Sequence, residues 1–298
     1  MKTLVLFGAG ASHGSGDVFP HPPPLGNGDN GLFARLELLG GIAASIPLEM
    51  RNLLRRNFEA GMAEYYKYSR GSTSELQREI AGYLAQFTPR ITNEYCGILR
   101  ILGNYNVTYS SLNYDLLFEL ACTLEGLTPC YSITSDERNV GLLKIHGSSN
   151  FWPAIPIGFM KGITISDCNV DVQAPIICLN QNETLVRCKI DKGAAPAMAL
   201  YAEGKAVKVS PDFVSRQQDD WEQCVREASD IYIIGVRVHT VDSHIWEPLA
   251  KTEGRVTYFG LSGDHFDFQT WANASQKQNA FFVEANFEGA VDWLSKKF

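Results

Sequence analysis

The sequence contains no run of about 20 apolar residues, the length that a helix needs to cross a bilayer. Its first apolar segment, Thr3 to Phe7, follows Met1 and Lys2 directly and is too short for the apolar region of a secretory signal peptide. Basic residues are in deficit, because 26 Lys and Arg face 33 Asp and Glu, for a net charge of -7. Such a surface is not built to neutralise phosphate backbones. We therefore expect a cytoplasmic protein that binds neither membranes nor nucleic acid directly.

Cysteine pairs spaced C-x-x-C are absent too. The seven cysteines are odd in number and scattered, which favours reduced thiols over a disulfide framework. Cys168, Cys178 and Cys188 follow one another at steps of ten residues, whereas zinc-binding cysteines pair within about two to four residues. We expect no zinc and no other bound metal.

Strand-forming segments end in glycine or polar residues, and helical patterns separate them. These segments are Lys2 to Phe7, Tyr105 to Ser110, Val140 to Ile145, Ile231 to Val236 and Val256 to Phe259. The alternation predicts an α/β fold with a Rossmann-like open, mostly parallel sheet that binds ligands at the carboxyl ends of its strands. We expect one domain over residues 1–298, with a helical insertion at about 32–102 and a smaller module of strands and loops at about 151–219.

A glycine-rich turn, Gly8 to Ser12, follows the first predicted strand. Backbone without side chains at Gly8 and Gly10 lets a pyrophosphate approach, and Ser12 with the following amides supplies donors. The third glycine of the dinucleotide fingerprint is replaced by His13, and no acidic residue ends a strand about 20 residues later, which weakens a dehydrogenase interpretation. The alternative is an ordinary turn from strand to helix.

Two later predicted strands are followed by candidate catalytic or ligand-binding residues. Asn113 either contacts a ligand or forms an Asx turn, and Asp115 either serves the site or caps the helix from Leu116. His146, which follows the segment Val140 to Ile145, is either a structural histidine or a proton acceptor, since histidine titrates near neutral pH.

The segment Gly235 to His244 follows another strand, so its amides and Arg237 suit phosphate or ribose. Asp242 either takes part in that site or caps the next helix. His239, Asp242 and His244 are also residue types that bind metals, but a helix cap is the commoner arrangement. Gly260 and Ser262 end the following strand and are candidates for holding the adenosine half of a dinucleotide.

Three motifs carry a family resemblance. The segment Gly8 to Gly16 matches the sirtuin pattern G-A-G-x-S-x-x-S-G, Ser111 to Asp115 resembles its T-x-N-x-D turn, and His146-Gly147 resembles its histidine–glycine pair. Their order and spacing match as well. The chain therefore resembles the sirtuin superfamily, and within it the bacterial sirtuin-like NAD hydrolases of antiphage defence, which tend to carry S/T-x-N-Y-D and a P-P-P-L-like loop, here Pro22 to Leu25.

The resemblance implies that NAD is the substrate and that its nicotinamide–ribose bond is cleaved. Asn113 would hold the ribose hydroxyls or the water, His146 would be the general base, and Asp115 would orient the turn or line the carboxamide region. The residues that would contact NAD are Gly8, Ala9, Gly10, Ser12, Phe19 over the nicotinamide, Gly235, Arg237, Asp242, Gly260 and Ser262.

The resemblance further implies an NAD+ hydrolase that depletes NAD+ when activated, restrained as a homo-oligomer or by a partner ATPase of the HerA type. Departures from the deacylase pattern favour water as the nucleophile. The two zinc-binding C-x-x-C pairs are absent, Asp17 to Pro20 stands where deacylases read I-P-D-F-R, and Leu112 replaces a glutamine. The alternatives are an NAD-dependent protein-lysine deacylase and a catalytically silent subunit that binds NAD or ADP-ribose.

Overall fold

The computed structural model describes residues 2–134, 136–157, 173–200, 209–239 and 242–298. The strands in these ranges are β1 (Thr3–Phe7), β2 (Val18–Phe19), β3 (Thr88–Pro89), β4 (Val107–Ser111), β5 (Thr128–Cys130), β6 (Asn139–Lys144), β7 (Phe151–Pro153), β8 (Ile176–Cys178), β9 (Asp230–Ile234), β10 (Arg255–Gly260) and β11 (Ala280–Glu284). The helices are α1 (Ala9–His13), α2 (Leu32–Leu38), α3 (Ile42–Ser45), α4 (Leu48–Arg56), α5 (Phe58–Tyr68), α6 (Ser74–Leu84), α7 (Glu94–Leu102), α8 (Leu117–Leu124), α9 (Gln181–Ile190), α10 (Pro211–Glu227), α11 (Ser243–Lys251), α12 (His265–Ala274) and α13 (Phe287–Ser295).

Seven strands form one sheet in the order β11-β10-β9-β1-β4-β6-β5. Every neighbouring pair in it is parallel. Antiparallel pairing joins β2 to β3 and β7 to β8 in two small separate sheets. The predicted fold class, an open and mostly parallel α/β sheet, is confirmed.

The chain changes direction across the sheet at β1. From β1 it continues to β4 on one side, and after β6 it crosses to β9 on the other side. Phe7 is in register with Ser111 of β4 and with Ile234 of β9, so all three strands end at the same level. A crevice beyond the carboxyl ends of strands at such a reversal is the usual ligand site of open α/β sheets.

Both faces of the sheet are covered by helices. Side chains alternate along β1, so Val5 and Phe7 pack into one apolar cluster while Leu4 and Leu6 pack into another. The first cluster includes side chains of α7, α8 and α13, and the second includes side chains of α10 and α11. Burial on both faces explains why the central strands are apolar almost throughout.

Helices α2 to α7 lie within residues 32–102, interrupted by the short strand β3. Residues 151–219 hold β7, β8, α9 and the beginning of α10. Part of that predicted module, residues 158–172 and 201–208, lies outside the described residues.

Among the described helices, none combines the length and the apolar character that a membrane crossing requires.

Candidate functional site

Two glycine turns meet where β1 and β9 end. The Gly8 amide donates to Ile234 O at 3.0 Å, and the Gly10 amide donates to Gly235 O at 2.9 Å. A Cβ on Gly8 would overlap Gly235 O, and one on Gly10 would lie 2.9 Å from the same oxygen. Gly235 has a φ of +64°, and a Cβ there would overlap the Ala11 amide nitrogen. Close contact between two backbone turns therefore requires glycine at these positions, independently of any ligand.

Asn113 joins the end of β4 to the glycine turn. Its Nδ2 donates to Gly8 O and to Ser12 Oγ, both at 2.8 Å. A backbone carbonyl can only accept, so the first bond fixes which end of the amide faces the turn. Ser12 Oγ also lies 3.0 Å from the hydroxyl of Tyr95 on α7. Asn113, Ser12 and Tyr95 are all buried, and they form one hydrogen-bonded cluster beneath the predicted nucleotide turn.

The buried hydroxyl of Tyr95 stays protonated. Burial raises its pKa well above the usual range, and the charge of the nearby Asp115 raises it further. Neighbouring residues support the same turn, because Ser15 Oγ donates to Ser12 O and Asn93 Nδ2 donates to Ser15 Oγ, both at 3.0 Å. The N-terminal end of α7 thus supports the glycine turn, in addition to the contacts that the turn makes with the end of β9.

Asp115 has a helix-capping contact. Its Oδ1 accepts from the Leu117 amide at 3.1 Å, in the first turn of α8. Its backbone carbonyl accepts from Lys144 Nζ at 2.7 Å, and Lys144 pairs with Glu119 at 3.2 Å. Burial raises the pKa of Glu119, although the charge of Lys144 partly opposes this. Lys144, only 1% exposed, therefore ties the Asp115 turn to the adjacent strand β6.

His146 lies just beyond β6 and is 4% exposed. Its carbonyl accepts from the Ala199 amide at 2.8 Å. Gly147 has a φ of +80°, and a Cβ there would overlap Ala197 O, so the segment 197–199 crosses the end of β6 closely. The His146 ring is thereby set at the carboxyl edge, one strand beyond Asn113 in the sheet.

The ring of His146 meets two residues from the segment after β9. His146 Nε2 lies 2.8 Å from His244 Nε2. One ligand atom from each of His146, Asp242 and His244 lies within 4.8 Å of the others. Asp242 stands at the N-cap position of α11, but its side chain makes no capping hydrogen bond to the described first turn of that helix.

The other predicted contact residues are spread more widely. Ala9 and Arg237 are exposed, and Phe19 on β2 is 59% exposed. Gly260 ends β10, two strands away from β1, and Ser262 follows it in an exposed turn. Strand spacing puts these two residues on the order of 10 Å from the glycine turn. They reach the same ligand only if it extends along the edge of the sheet, as a dinucleotide does.

Two residues at the site were not predicted as site residues. Tyr95 lies in the predicted helical insertion, at a position whose helical spacing indicates a core residue. That spacing does not indicate a contact with Ser12. His244 stands in the segment Gly235 to His244, which the sequence analysis considered. Its contact with His146 could not be predicted, because it joins residues that are distant in the sequence.

Neither a protein-family model nor a curated protein matches the sequence. A solved structure described as the structural basis for the mechanism and regulation of Sir2 enzymes is similar over 99% of this chain and 92% of its own. The identity is 11% and the TM-score 0.45. Similarity at that level assigns neither family nor activity, so the fold assignment above rests on strand order and register.

Proposed function

We propose that the protein hydrolyses NAD+ to nicotinamide and ADP-ribose. The observation that carries this proposal is the placement of Asn113 and His146. They follow the adjacent parallel strands β4 and β6, and Asn113 is hydrogen-bonded to the glycine turn at the point where the chain reverses across the sheet. This is the edge at which open α/β sheets bind nucleotides.

The chemistry needs few protein groups. Nicotinamide in NAD+ is a cationic leaving group, so its bond to ribose breaks without protonation, through an oxocarbenium-like transition state. Water then forms the new bond to the ribose carbon and loses a proton, so NAD+ and water give nicotinamide, ADP-ribose and one proton. A positioned acceptor for that proton, and a grip on the ribose, are what the enzyme supplies.

His146 is the proton acceptor in this proposal, because imidazole accepts protons near neutral pH. Asn113 acts on the ribose side. Since its Nδ2 donates to Gly8 O and Ser12 Oγ, the group that would receive a ribose hydroxyl is its carbonyl oxygen. Asp115 holds the turn through Leu117, which agrees with an orienting role and requires no direct contact with NAD+.

The resemblance to bacterial sirtuin-like NAD hydrolases supports the same reaction and also suggests a biological role. We infer a cytoplasmic antiphage effector that depletes NAD+ when activated, restrained by self-association or by an ATPase of the HerA type. Deacylation is less favoured, because the sequence lacks the C-x-x-C pairs of deacylases.

One observation favours the alternative of a silent binding subunit. Ser12 and Asn113 are engaged with each other and with Gly8, and Gly8, Gly10 and Gly235 are explained by backbone packing alone. If Asn113 serves only to hold the turn, the site lacks its proposed contact with the ribose, and nucleotide bound at this edge of the sheet would not be turned over.

The experiment compares wild type with Asn113→Ala and His146→Ala, and with His239→Ala as a matched exposed histidine. Each protein is incubated with NAD+, alone and with a co-encoded ATPase, and nicotinamide is measured by chromatography. We expect release by wild type and His239→Ala only. Binding of NAD+ with no release under any condition would replace the hydrolase with the silent subunit, and release only with an acylated peptide would revive the deacylase.

A further inference from the structure

A histidine pair and a carboxylate come together at the edge of the site. His146 follows β6, while Asp242 and His244 bracket the start of α11, far away in the sequence. His146 Nε2 and His244 Nε2 are 2.8 Å apart, with ring planes inclined by 44°. With one oxygen of Asp242 these atoms lie within 4.8 Å of one another. Within the described residues this is the group of three whose chemistry matches a metal site.

The donor set suits a particular class of ion. Two imidazoles and one carboxylate bind Zn2+ and other divalent transition metals, and they leave coordination positions open. Metal bonds of about 2.0–2.1 Å in a tetrahedral arrangement put ligand atoms roughly 3.3 Å apart. The histidine nitrogens therefore need to separate by about half an ångström and the carboxylate to close in. His146 is buried, whereas Asp242 and His244 are half-buried, so the adjustment falls on Asp242 and His244.

The structure also provides an entry path. His244 lines a surface cavity of about 290 Å³ between α10 and α11. The charged residues that line this cavity are Asp219, Glu222, Glu247 and Lys251. Glu222 pairs with Arg226 at 3.0 Å and Glu247 pairs with Lys251 at 3.3 Å. The excess negative charge of this wall is therefore that of Asp219, which favours cations modestly. The cavity therefore gives His244 access to solvent.

We propose that His146, Asp242 and His244 bind one divalent transition-metal ion of the Zn2+ class, and that the bound ion inhibits NAD+ hydrolysis. Coordination uses the lone pair of His146 Nε2, so that nitrogen no longer accepts the proton of the attacking water. The inhibition rests on the proposed function, because it requires His146 to be the general base. The binding does not rest on it.

Binding is measured on the full chain after chelator treatment and dialysis. Zn2+ is titrated by calorimetry, and Co2+ is used as a spectroscopic probe of the ligand geometry. We expect one ion per chain in the wild type. Removing a group that merely orients a metal ligand costs about 10–100-fold in affinity, so His244→Ala and Asp242→Asn should each lose about 100-fold or more. His239→Ala, an exposed histidine nearby, should bind as the wild type does.

The outcomes separate the site, its effect and the proposed activity. The site is overturned if the wild type does not bind one ion per chain. It is also overturned if His244→Ala and Asp242→Asn bind Zn2+ as tightly as the wild type does, since the cysteines would then be the ligands. If the site binds Zn2+ and nicotinamide release continues at the metal-free rate, the inhibition is overturned. If metal-free protein releases no nicotinamide, the proposed hydrolysis fails while the binding result stands.

Discussion

The contact between the two glycine turns allows a sharp test by Gly235→Ala. Gly235 has a φ of +64°, and a Cβ at this position would overlap the backbone nitrogen of Ala11. Two costs combine. A left-handed conformation costs a residue with a Cβ about 1–2 kcal/mol, and forcing extra volume into a packed contact costs about 1–3 kcal/mol. We therefore expect Gly235→Ala to lower the free energy of unfolding by about 2–5 kcal/mol.

A second glycine isolates the steric part of this cost. Gly126 has a φ of +73°, and no described atom lies within 4 Å of the place where its Cβ would be. Gly126→Ala therefore incurs only the conformational cost, about 1–2 kcal/mol. Urea denaturation of both variants, read as a shift in midpoint at constant slope, measures the difference directly.

The functional consequence follows from the same contact. The overlap at Ala11 displaces the turn that holds Gly8 and Ser12, so Gly235→Ala should also lose nicotinamide release while Gly126→Ala retains it. Equal destabilisation by the two variants would show that the glycine turns do not touch as described, and the explanation of Gly8 and Gly10 by backbone packing would fall with it.

Four further predictions concern the buried polar groups. Lys144→Met leaves Glu119 buried without its ion pair and should destabilise the fold by about 3–5 kcal/mol in chemical denaturation; a loss below 1 kcal/mol would contradict the pairing. Because the pKa of folded Glu119 is raised above 4.5, the folded state keeps a proton that the unfolded state has lost, so stability falls as pH rises from 4.5 upward. Glu119→Gln should flatten that fall in urea midpoints measured across pH, and an unchanged profile would count against the shift. Tyr95→Phe removes the hydroxyl beside Ser12 Oγ and should cost about 1 kcal/mol and slow nicotinamide release; unaltered stability and rate would make that contact dispensable. Asp115→Ala removes the acceptor of the Leu117 amide and should cost about 1 kcal/mol, which Asp115→Asn should largely restore in the same denaturation assay.

The sheet could be predicted largely from the sequence because its central strands are buried on both faces. Such strands are short apolar runs that end in glycine or polar residues, as β1, β6 and β9 do. The edge strands β5 and β11 were not predicted. β5 has three residues with proline in the middle, and β11 has no fully buried residue, so neither shows a clear apolar pattern.

The candidate site could be predicted only in part. Gly8, Asn113 and His146 stand out because each follows a strand, which is a local signal. Their partners depend on the folded arrangement: Gly235 contacts Gly10 across the β1–β9 boundary, and His244 meets His146 from a distant helix. The glycines illustrate the limit, since the close contact of Gly8 and Gly10 with the Gly235 turn is not visible in the sequence.

The most direct test of the account is hydrolysis of NAD+ in water enriched in the heavy oxygen isotope. We predict one nicotinamide per ADP-ribose formed, with the heavy oxygen on the ribose carbon that carried nicotinamide, and no such product from His146→Ala. Absence of nicotinamide from the wild type with every activator tried, or equal release from His146→Ala, would contradict the assignment of this edge of the sheet as a hydrolytic site.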